Sequence, residues 1–399
     1  MAIHVEAVKC VITMLSSQLY NETVVNTSVV FSYFISGACS KRAAVLTKTL
    51  LRNYLIHNSE YHPVKKNDGG SIVLGIASSF WSMVQAATGG EGDAEEAQEY
   101  PVVPVIKILH EGVASSSSNS HHMYLSLIVM LILSEDDFFC KIIHETMIRD
   151  VDWLESDRPV REISLGGLCV MVFVRTIHKN AIRMRDRYLH TNCLAALANM
   201  SSCFKNLSPI VCQKMIALLE LLTKRHVKMV EQMRLAAEQG NNEGQPVGYH
   251  DDVTALEEGI RTLLEIINSA LCGNLRNNPH LIYTLLYHRS LFDSYQQHPM
   301  FQDLLANITL VISHFSSKVV HVRAGDGATM MEIIEKEAIV LPTDRLAKFP
   351  ELRFRYVEDE NTVDFFVPYV WRLTIQHSSI PFESSRVKLF NARMLIAGG

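Results

Sequence analysis

The stretch that decides the fold is residues 208–234, SPIVCQKMIALLELLTKRHVKMVEQMR. Charged residues such as Lys214 and Glu231 alternate there with apolar residues that recur every three or four positions, or at multiples of a turn. Ser208 and Pro209 form a typical helix start, because a serine hydroxyl can cap the first turn and proline already has a helical φ. The pattern predicts a long helix with one apolar face, made of Val211, Met215, Leu218, Leu222, Met229 and Met233.

Helical periodicity recurs through most of the chain. Segments 256–271 and 308–315 carry apolar stripes of the same spacing. Many of the other helical segments are apolar around more than half of their circumference, as in helices that pack on both sides. We therefore predict an all-α fold, a helical-repeat solenoid of the HEAT or armadillo type. The alternation of apolar and charged residues at Leu352–Val357 adds one short β ribbon near the C-terminus.

Composition divides the chain into three parts. Residues 1–86 are predicted to be an N-terminal helical segment. Residues 87–101 are acidic and rich in glycine, which is typical of a linker. Residues 102–395 are predicted to form the main helical-repeat domain.

Length, composition and charge exclude several classes of protein. With 48% hydrophobic and 20% charged residues, the 399-residue chain has too much apolar surface to stay disordered. A net charge of -5 argues against a nucleic-acid partner, which usually requires a basic excess. The eight cysteines include no C-x-x-C pair and are predicted to be free, buried thiols in a reducing compartment. The apolar runs 123–133 and 165–174 are shorter than the ~20 residues of a transmembrane helix, so no such segment is expected.

The sequence contains no pattern that indicates catalysis, a cofactor or a metal. Cys193, Cys203 and Cys212 lie nine or ten residues apart, and no close ligand pair begins a zinc site. No phosphate-binding loop or nucleophile elbow is present. We therefore predict no catalytic, cofactor-binding or metal-ligating residues. Two alternatives stay open: a general cytosolic helical-repeat adaptor, and a hydrolase whose site is assembled from distant helices.

The most distinctive stretch is residues 162–201, EISLGGLCVMVFVRTIHKNAIRMRDRYLHTNCLAALANMS. Further distinctive blocks follow the same order along the chain: SHHMY at 120–124, LSEDD at 133–137, LEIINS at 264–269, DRLAKFPEL at 344–352 and PYVW at 368–371. Through these blocks the chain resembles the dymeclin family, continuously over about 102–375 and more weakly over 1–86.

The resemblance implies a non-enzymatic, peripheral Golgi protein that is needed for Golgi organisation and membrane trafficking. It also implies residence in the cytoplasm and on the cytosolic face of the Golgi, with other trafficking proteins as partners. Family members usually begin Met-Gly, whereas this chain has Ala2, so the N-myristoylation start of the family is absent. A central family segment is also missing between about Met83 and Pro101, which indicates a shortened isoform or an incomplete gene model.

Within the family-like stretch, residues 188–201 form a signature helix. Leu189, Cys193 and Leu197 share one face, and the small residues between them favour a closely packed core helix. The alternative is a partner-binding surface on another face. The residues of this helix that we single out are Tyr188, Leu189, His190, Asn192, Cys193 and Asn199.

A basic ridge precedes that helix. Arg175, Lys179, Arg183 and Arg187 recur every four residues and share one face if a single helix runs through Asn180. Such a ridge could bind anionic lipid headgroups or an acidic partner segment, at about 1 kcal/mol per charge near an anionic membrane. Without a lipid anchor this contact would be weak and salt-sensitive. The alternative is an ordinary solvated face with internal ion pairs.

Overall fold

The structure is a computed structural model. It describes residues 2–15, 33, 42, 102–113, 120–149, 151, 153–154, 160–184, 186–238, 249–293, 295–323, 326–341, 345–357, 366, 369–371 and 374–375. The chain divides into two compact units: unit 1 comprises residues 1–101 and 357–399, and unit 2 comprises residues 102–356. The predicted linker 87–101 lies outside the described residues.

The described residues are mainly helical, which confirms the all-α prediction. In unit 1 they include α1 (Ala2–Leu15) and a short helical stretch in which Tyr369 and Trp371 are buried. In unit 2 the elements are α2 (Val102–Gly112), α3 (Ser120–Ser134), α4 (Asp137–Glu145), β1 (Met147–Arg149), β2 (Glu162–Ser164), α5 (Leu165–Lys179), α6 (Arg187–Ser201), α7 (Pro209–Glu238), α8 (Tyr249–Asn274), α9 (Pro279–Tyr287), α10 (Arg289–Asp293), α11 (Gln302–Val319) and α12 (Gly327–Val340).

The helix predicted from residues 208–234 is α7, which begins at Pro209. Its predicted cap is wrong, since the buried Ser208 Oγ has no hydrogen-bond partner within the described part of the chain. Other helices do have side-chain caps: Asp136, Ser164 and Asp186 each accept main-chain N–H bonds at the starts of α4, α5 and α6. At α7 the helix start therefore depends on the fixed φ of Pro209.

The helices of unit 2 pack in two rows. One row runs α3, α6, α8, α11, and the other runs α2, α5, α7, α9, α12, with each helix against the next in its row. The rows meet where α2 packs on α3, α5 on α6, α7 on α8 and α9 on α11. This order gives α5 and α6 a neighbouring helix on both sides within their rows, and residues 165–174 and 193–201 are all buried.

Helix α5 is also the most membrane-like part of the described chain. The window Leu165–Ile182 is long and apolar enough to cross a bilayer by length and composition, and it is the one helix among the described residues that passes this test. However, 72% of the window is buried against the rest of the protein. Most of its apolar residues are therefore part of the hydrophobic core of unit 2.

The β structure lies elsewhere than predicted. Strands β1 and β2 pair in an antiparallel ribbon with Ile148 opposite Ile163, directly before α5. Residues 352–357 are not part of a strand and have no strand partner among the described residues, so the prediction of a ribbon at these residues is wrong. Instead, side chains from the helices form hydrogen bonds with main-chain N–H and C=O groups of this segment.

The thiols follow the prediction in most cases. Seven described cysteines are free, of which Cys140, Cys169, Cys193 and Cys212 are buried, whereas Cys10 is exposed. Burial raises the pKa of Cys169 and of Cys212 to about 12. These buried thiols are therefore packing groups and not nucleophiles.

Candidate functional site

The signature helix α6 occupies the centre of unit 2, between α3 and α8 in its row and against α5 of the other row. Leu189 and Cys193 are fully buried, and Leu197 is 1% exposed. The core placement of these three residues is therefore confirmed. Burial, together with the charge of Asp186, raises the pKa of the Cys193 thiol well above its ordinary value, so Cys193 is not a reactive group.

The start of α6 is held by a polar cluster. Asp186 accepts the Leu189 N–H at 3.0 Å, and the Tyr124 hydroxyl donates to the same carboxylate. The Asn180 side chain donates to Asp186 O at 2.7 Å and accepts the Asp186 N–H at 2.9 Å. Tyr188 packs edge-on against Tyr124 but stays 42% exposed. The side chains of Tyr124, Asn180 and Asp186 thus fix the corner between α5 and α6.

His190 marks the crossing of α6 over α8. A Cβ at Gly259 would lie 2.9 Å from His190 Nε2, so any larger residue there would force the imidazole ring to move. Burial lowers the pKa of His190 to about 4, and the charge of Arg225 adds to that effect. His190 is therefore neutral at physiological pH. Asn192 donates to Tyr188 O within its own helix at 2.8 Å.

Asn199, the last predicted residue of α6, binds the main chain of a distant segment. Its amide nitrogen donates to Phe354 O at 2.8 Å, and its amide oxygen accepts the Phe354 N–H at 2.7 Å. The second N–H of the amide donates to Ser134 Oγ at 3.0 Å, which fixes the orientation of the group. Asn199 is 6% exposed. Both N–H groups and the oxygen of the Asn199 amide are therefore engaged, with two hydrogen bonds to Phe354 and one to Ser134.

Asn307 on α11 repeats the arrangement. Its amide nitrogen donates to Ala347 O at 2.9 Å and its oxygen accepts the Ala347 N–H at 2.8 Å. The other N–H donates to Asn268 Oδ1 at 2.8 Å, as Asn199 does to Ser134. Asn307 is 3% exposed. Two buried asparagines therefore bind one segment, which we call the strap (residues 347–356), through its main chain.

The strap crosses one whole row of helices. Ala347 lies at α11 and beside Cys272 of α8, and Phe354 lies at α6. At the far end the Tyr356 N–H donates to Glu135 Oε1 at 2.9 Å, just beyond α3. The strap thus carries the alternating pattern of a strand but is paired with side chains, which explains why the predicted ribbon is not formed.

A cavity of about 400 Å³ adjoins the strap. Phe354 contributes to its wall, and so do Arg187 of the predicted basic ridge and the signature residue His190. Arg225 of α7 and Glu258 of α8 add charges of both signs.

The four basic residues do not share one helix. Helix α5 ends at Lys179, a π-helical turn follows over Asn180–Met184, and Arg187 begins α6. Arg183 lies within that turn, Arg175 and Lys179 are partly buried, and Arg187 is exposed. The continuous face that the spacing requires is therefore not formed, and lipid or acidic-partner binding stays a prediction about separate side chains.

Sequence reasoning identified Asn199 but not its role, and it did not identify Asn307, Asn268 or Glu135. The two strap contacts join residues 155 and 40 positions apart. No local motif connects such residues. The one available signal was the presence of polar residues inside apolar helical stretches.

Comparison with known proteins identifies the family. The model of the family described as "Dymeclin: Dyggve-Melchior-Clausen syndrome protein" matches residues 1–102 and 94–373. Dymeclin of Gallus gallus is 48% identical over 275 residues, covering 68% of this chain and 40% of the relative. Dymeclin of Xenopus laevis is 45% identical over 290 residues, covering 72% and 43%. No solved structure matches the chain.

Dymeclin of Rattus norvegicus is 34% identical over 481 aligned positions, covering 93% of this chain and 70% of the relative. Since this alignment is longer than the 399-residue chain, the relative has internal residues without a counterpart here. The chain spans about two fifths of the length of the chicken and frog relatives. A family model that matches most of the chain, together with a relative of this identity and coverage, establishes that the chain belongs to the dymeclin family.

Proposed function

We propose that this chain is a non-enzymatic helical scaffold that acts at the cytosolic face of the Golgi, in Golgi organisation and membrane trafficking. Membership of the dymeclin family is what points to the Golgi. The two rows of helices, each packed on the next, support a helical-repeat stack, an architecture that offers long surfaces to partners.

The strap is the observation on which the scaffold proposal depends. Asn199 and Asn307 recognise main-chain groups, and such contacts do not require a particular side chain in the bound segment. The row α3, α6, α8, α11 is therefore built to hold a non-helical peptide along its length. In this chain the bound peptide is its own strap.

Complementation in cells tests the proposal. Cells depleted of their own dymeclin receive the tagged chain, and its overlap with Golgi markers and the recovery of Golgi morphology are scored. We expect overlap and recovery. The double variant Asn199→Ala, Asn307→Ala should fold, as judged by circular dichroism, but should recover less.

Asn192→Ala is the matched control, because Asn192 binds only its own helix among the described residues and should leave recovery unchanged. Diffuse staining of the wild-type chain without recovery would contradict a Golgi role and favour a general cytosolic adaptor. Full recovery by the double variant would show that the asparagine contacts are not used in this function.

A weak membrane contact is proposed alongside the scaffold role. Arg187 is exposed, and Arg175, Lys179 and Arg183 lie on α5 and in the turn that follows it. Co-sedimentation with anionic vesicles at low salt should show salt-sensitive binding that is reduced when all four residues are changed to Gln. If the wild-type chain does not sediment with these vesicles, the four basic residues do not bind membranes and have a structural role only.

A further inference from the structure

Two histidines and a glutamate from three separate elements converge beside α7. His226 belongs to α7, Glu257 belongs to α8, and His298 lies in the turn that precedes α11. His226 Nε2 lies 3.0 Å from Glu257 Oε1, and His298 Nε2 lies 3.7 Å from the same oxygen. We propose that these three side chains form a binding site for a divalent transition-metal ion, with zinc as the ion that best fits the ligands.

The donor set is one that zinc uses in proteins. Two imidazole nitrogens and one carboxylate oxygen leave the fourth tetrahedral position for water or a further ligand. In a tetrahedral site with ligand bonds of about 2.1 Å, neighbouring donor atoms lie about 3.4 Å apart. The two separations from Glu257 Oε1, 3.0 and 3.7 Å, lie on either side of that value. All three donor atoms lie within 4.8 Å of one another, so rotation of the side chains can bring them to one ion.

Hydrogen bonds within the described part of the protein engage only one of the four ring nitrogens of His226 and His298. Glu257 Oε1 forms a hydrogen bond with His226, but the 3.7 Å separation from His298 is too long for a second one. The Nδ1 atoms of both rings are buried and have no hydrogen-bond partner within the described part of the chain. Once the His226 proton moves from Nε2 to Nδ1, a metal ion would use both Nε2 lone pairs and the carboxylate charge together.

The surroundings hold the ligands in place. The His298 ring stacks on Phe301 with centroids 4.3 Å apart, and the Tyr295 hydroxyl ties this turn to α7 by donating to Thr223 O at 2.9 Å. Burial lowers the pKa of His298, which favours the neutral imidazole that a metal requires, although the charge of Glu257 acts in the opposite direction.

A cavity of about 440 Å³ opens beside the two histidines. Glu231 and Gln297 contribute polar side chains to its wall. His226 is 5% exposed, whereas about a quarter of the His298 side chain is exposed. The cavity therefore gives an ion a path to ligands that are otherwise shielded from solvent.

Zinc titration of the purified full chain, stripped with chelator and kept reduced, tests the site. We expect one zinc ion per chain at this site, with an affinity about 10–100-fold below that of sites whose histidines donate Nδ1–H to a second acceptor. His298→Ala should weaken binding by more than about 10-fold. Glu257→Gln keeps the shape of the side chain and should also weaken binding, so the test does not depend on one variant folding. Magnesium should not compete, since it prefers oxygen ligands.

His314→Ala is the matched control. His314 faces Glu337 at 3.5 Å in a pair of similar exposure, but Lys318 takes the place of a second histidine there. This variant should bind zinc as the wild type does. The cobalt-loaded chain should lack a thiolate charge-transfer band, which separates this site from the cysteines. The proposal is wrong if the wild type binds no zinc, if bound zinc is unaffected by both site variants, or if the cobalt spectrum shows thiolate ligation.

Discussion

Helix α6 and the strap contact each other, but different forces hold them. Residues 193–201 of α6 are all buried, so apolar burial fixes this part of the helix from every side. Most of the strap is exposed, and buried asparagines hold it through its main chain. The strap therefore depends on a few directional contacts whose loss is local, whereas damage to α6 spreads through the whole unit.

Of the variants considered, Leu197→Asp in α6 should lower the free energy of unfolding most. Leu197 is 1% exposed, and an aspartate there would be a buried, unpaired charge. We expect a loss of more than about 4 kcal/mol in the free energy of unfolding, measured by urea denaturation with circular dichroism. Thr191→Asp, on an exposed position of the same helix, is the control. Equal unfolding midpoints for Leu197→Asp and the wild type would disprove the core role of α6.

Acid should weaken the packed helices through His144. This residue is 3% exposed and packs so closely on Gly166 that a Cβ there would lie 2.4 Å from the imidazole ring. Burial lowers its pKa from 6.5 to about 4, so the folded state stays neutral while the unfolded state takes up a proton. The resulting stability is present above pH 6.5 and is lost as the pH falls towards 4, by about 3 kcal/mol.

The variant His144→Leu isolates this effect of acid. Its free energy of unfolding relative to the wild type, measured from pH 7 to pH 4, should change by that amount in favour of the variant at acid pH. A constant difference across this range would show that His144 titrates alike in both states.

The sequence predicted the helices well because their signals are local. The apolar stripe of 208–234 became α7, and the small residues of α6 became a core helix. The predicted basic ridge is not formed, because α5 ends just before Asn180. The Asn180 side chain binds the main chain of Asp186, which caps the next helix, α6. Asp186, three positions before Leu189, was a readable cap signal for this break.

The sites depend on residues that are far apart in the chain, and the sequence could not predict them. The alternation at 352–357 reveals a non-helical segment but not that Asn199 replaces a partner strand. His226, Glu257 and His298 are separated by 31 and 41 positions, so no ligand spacing exists to be recognised. Only the packing of α7 against α8 brings the first two together.

Asn307→Ala should have a smaller effect, confined to the strap. It leaves the Ala347 main chain and the Asn268 amide without their partner, at a cost of about 2 kcal/mol. Hydrogen exchange should accelerate at residues 346–348 while Phe354, still bound by Asn199, stays protected. Asn192→Ala should change neither. Simultaneous loss of protection at both ends would mean that the strap is released as one unit.

The smallest effect is expected at Arg353, which pairs with Asp137 at 2.8 Å and with Glu351 at 3.0 Å. Its hydrogen bond lowers the pKa of Asp137, so the stability gained is present above the unfolded pKa and is lost as the pH falls through the lower folded value. The Arg353 side chain is 42% exposed, and solvent screening limits the contribution of such pairs to about 0.2–1 kcal/mol.

Arg353→Ala, Asp137→Asn and the double variant form a cycle that measures the coupling, which should fall towards zero at 1 M salt, where the Debye length is about 3 Å. A coupling above about 2 kcal/mol that persists in salt would mean that ion pairing anchors the strap as strongly as the asparagines do. The strap would then not depend mainly on its main-chain contacts with buried asparagines.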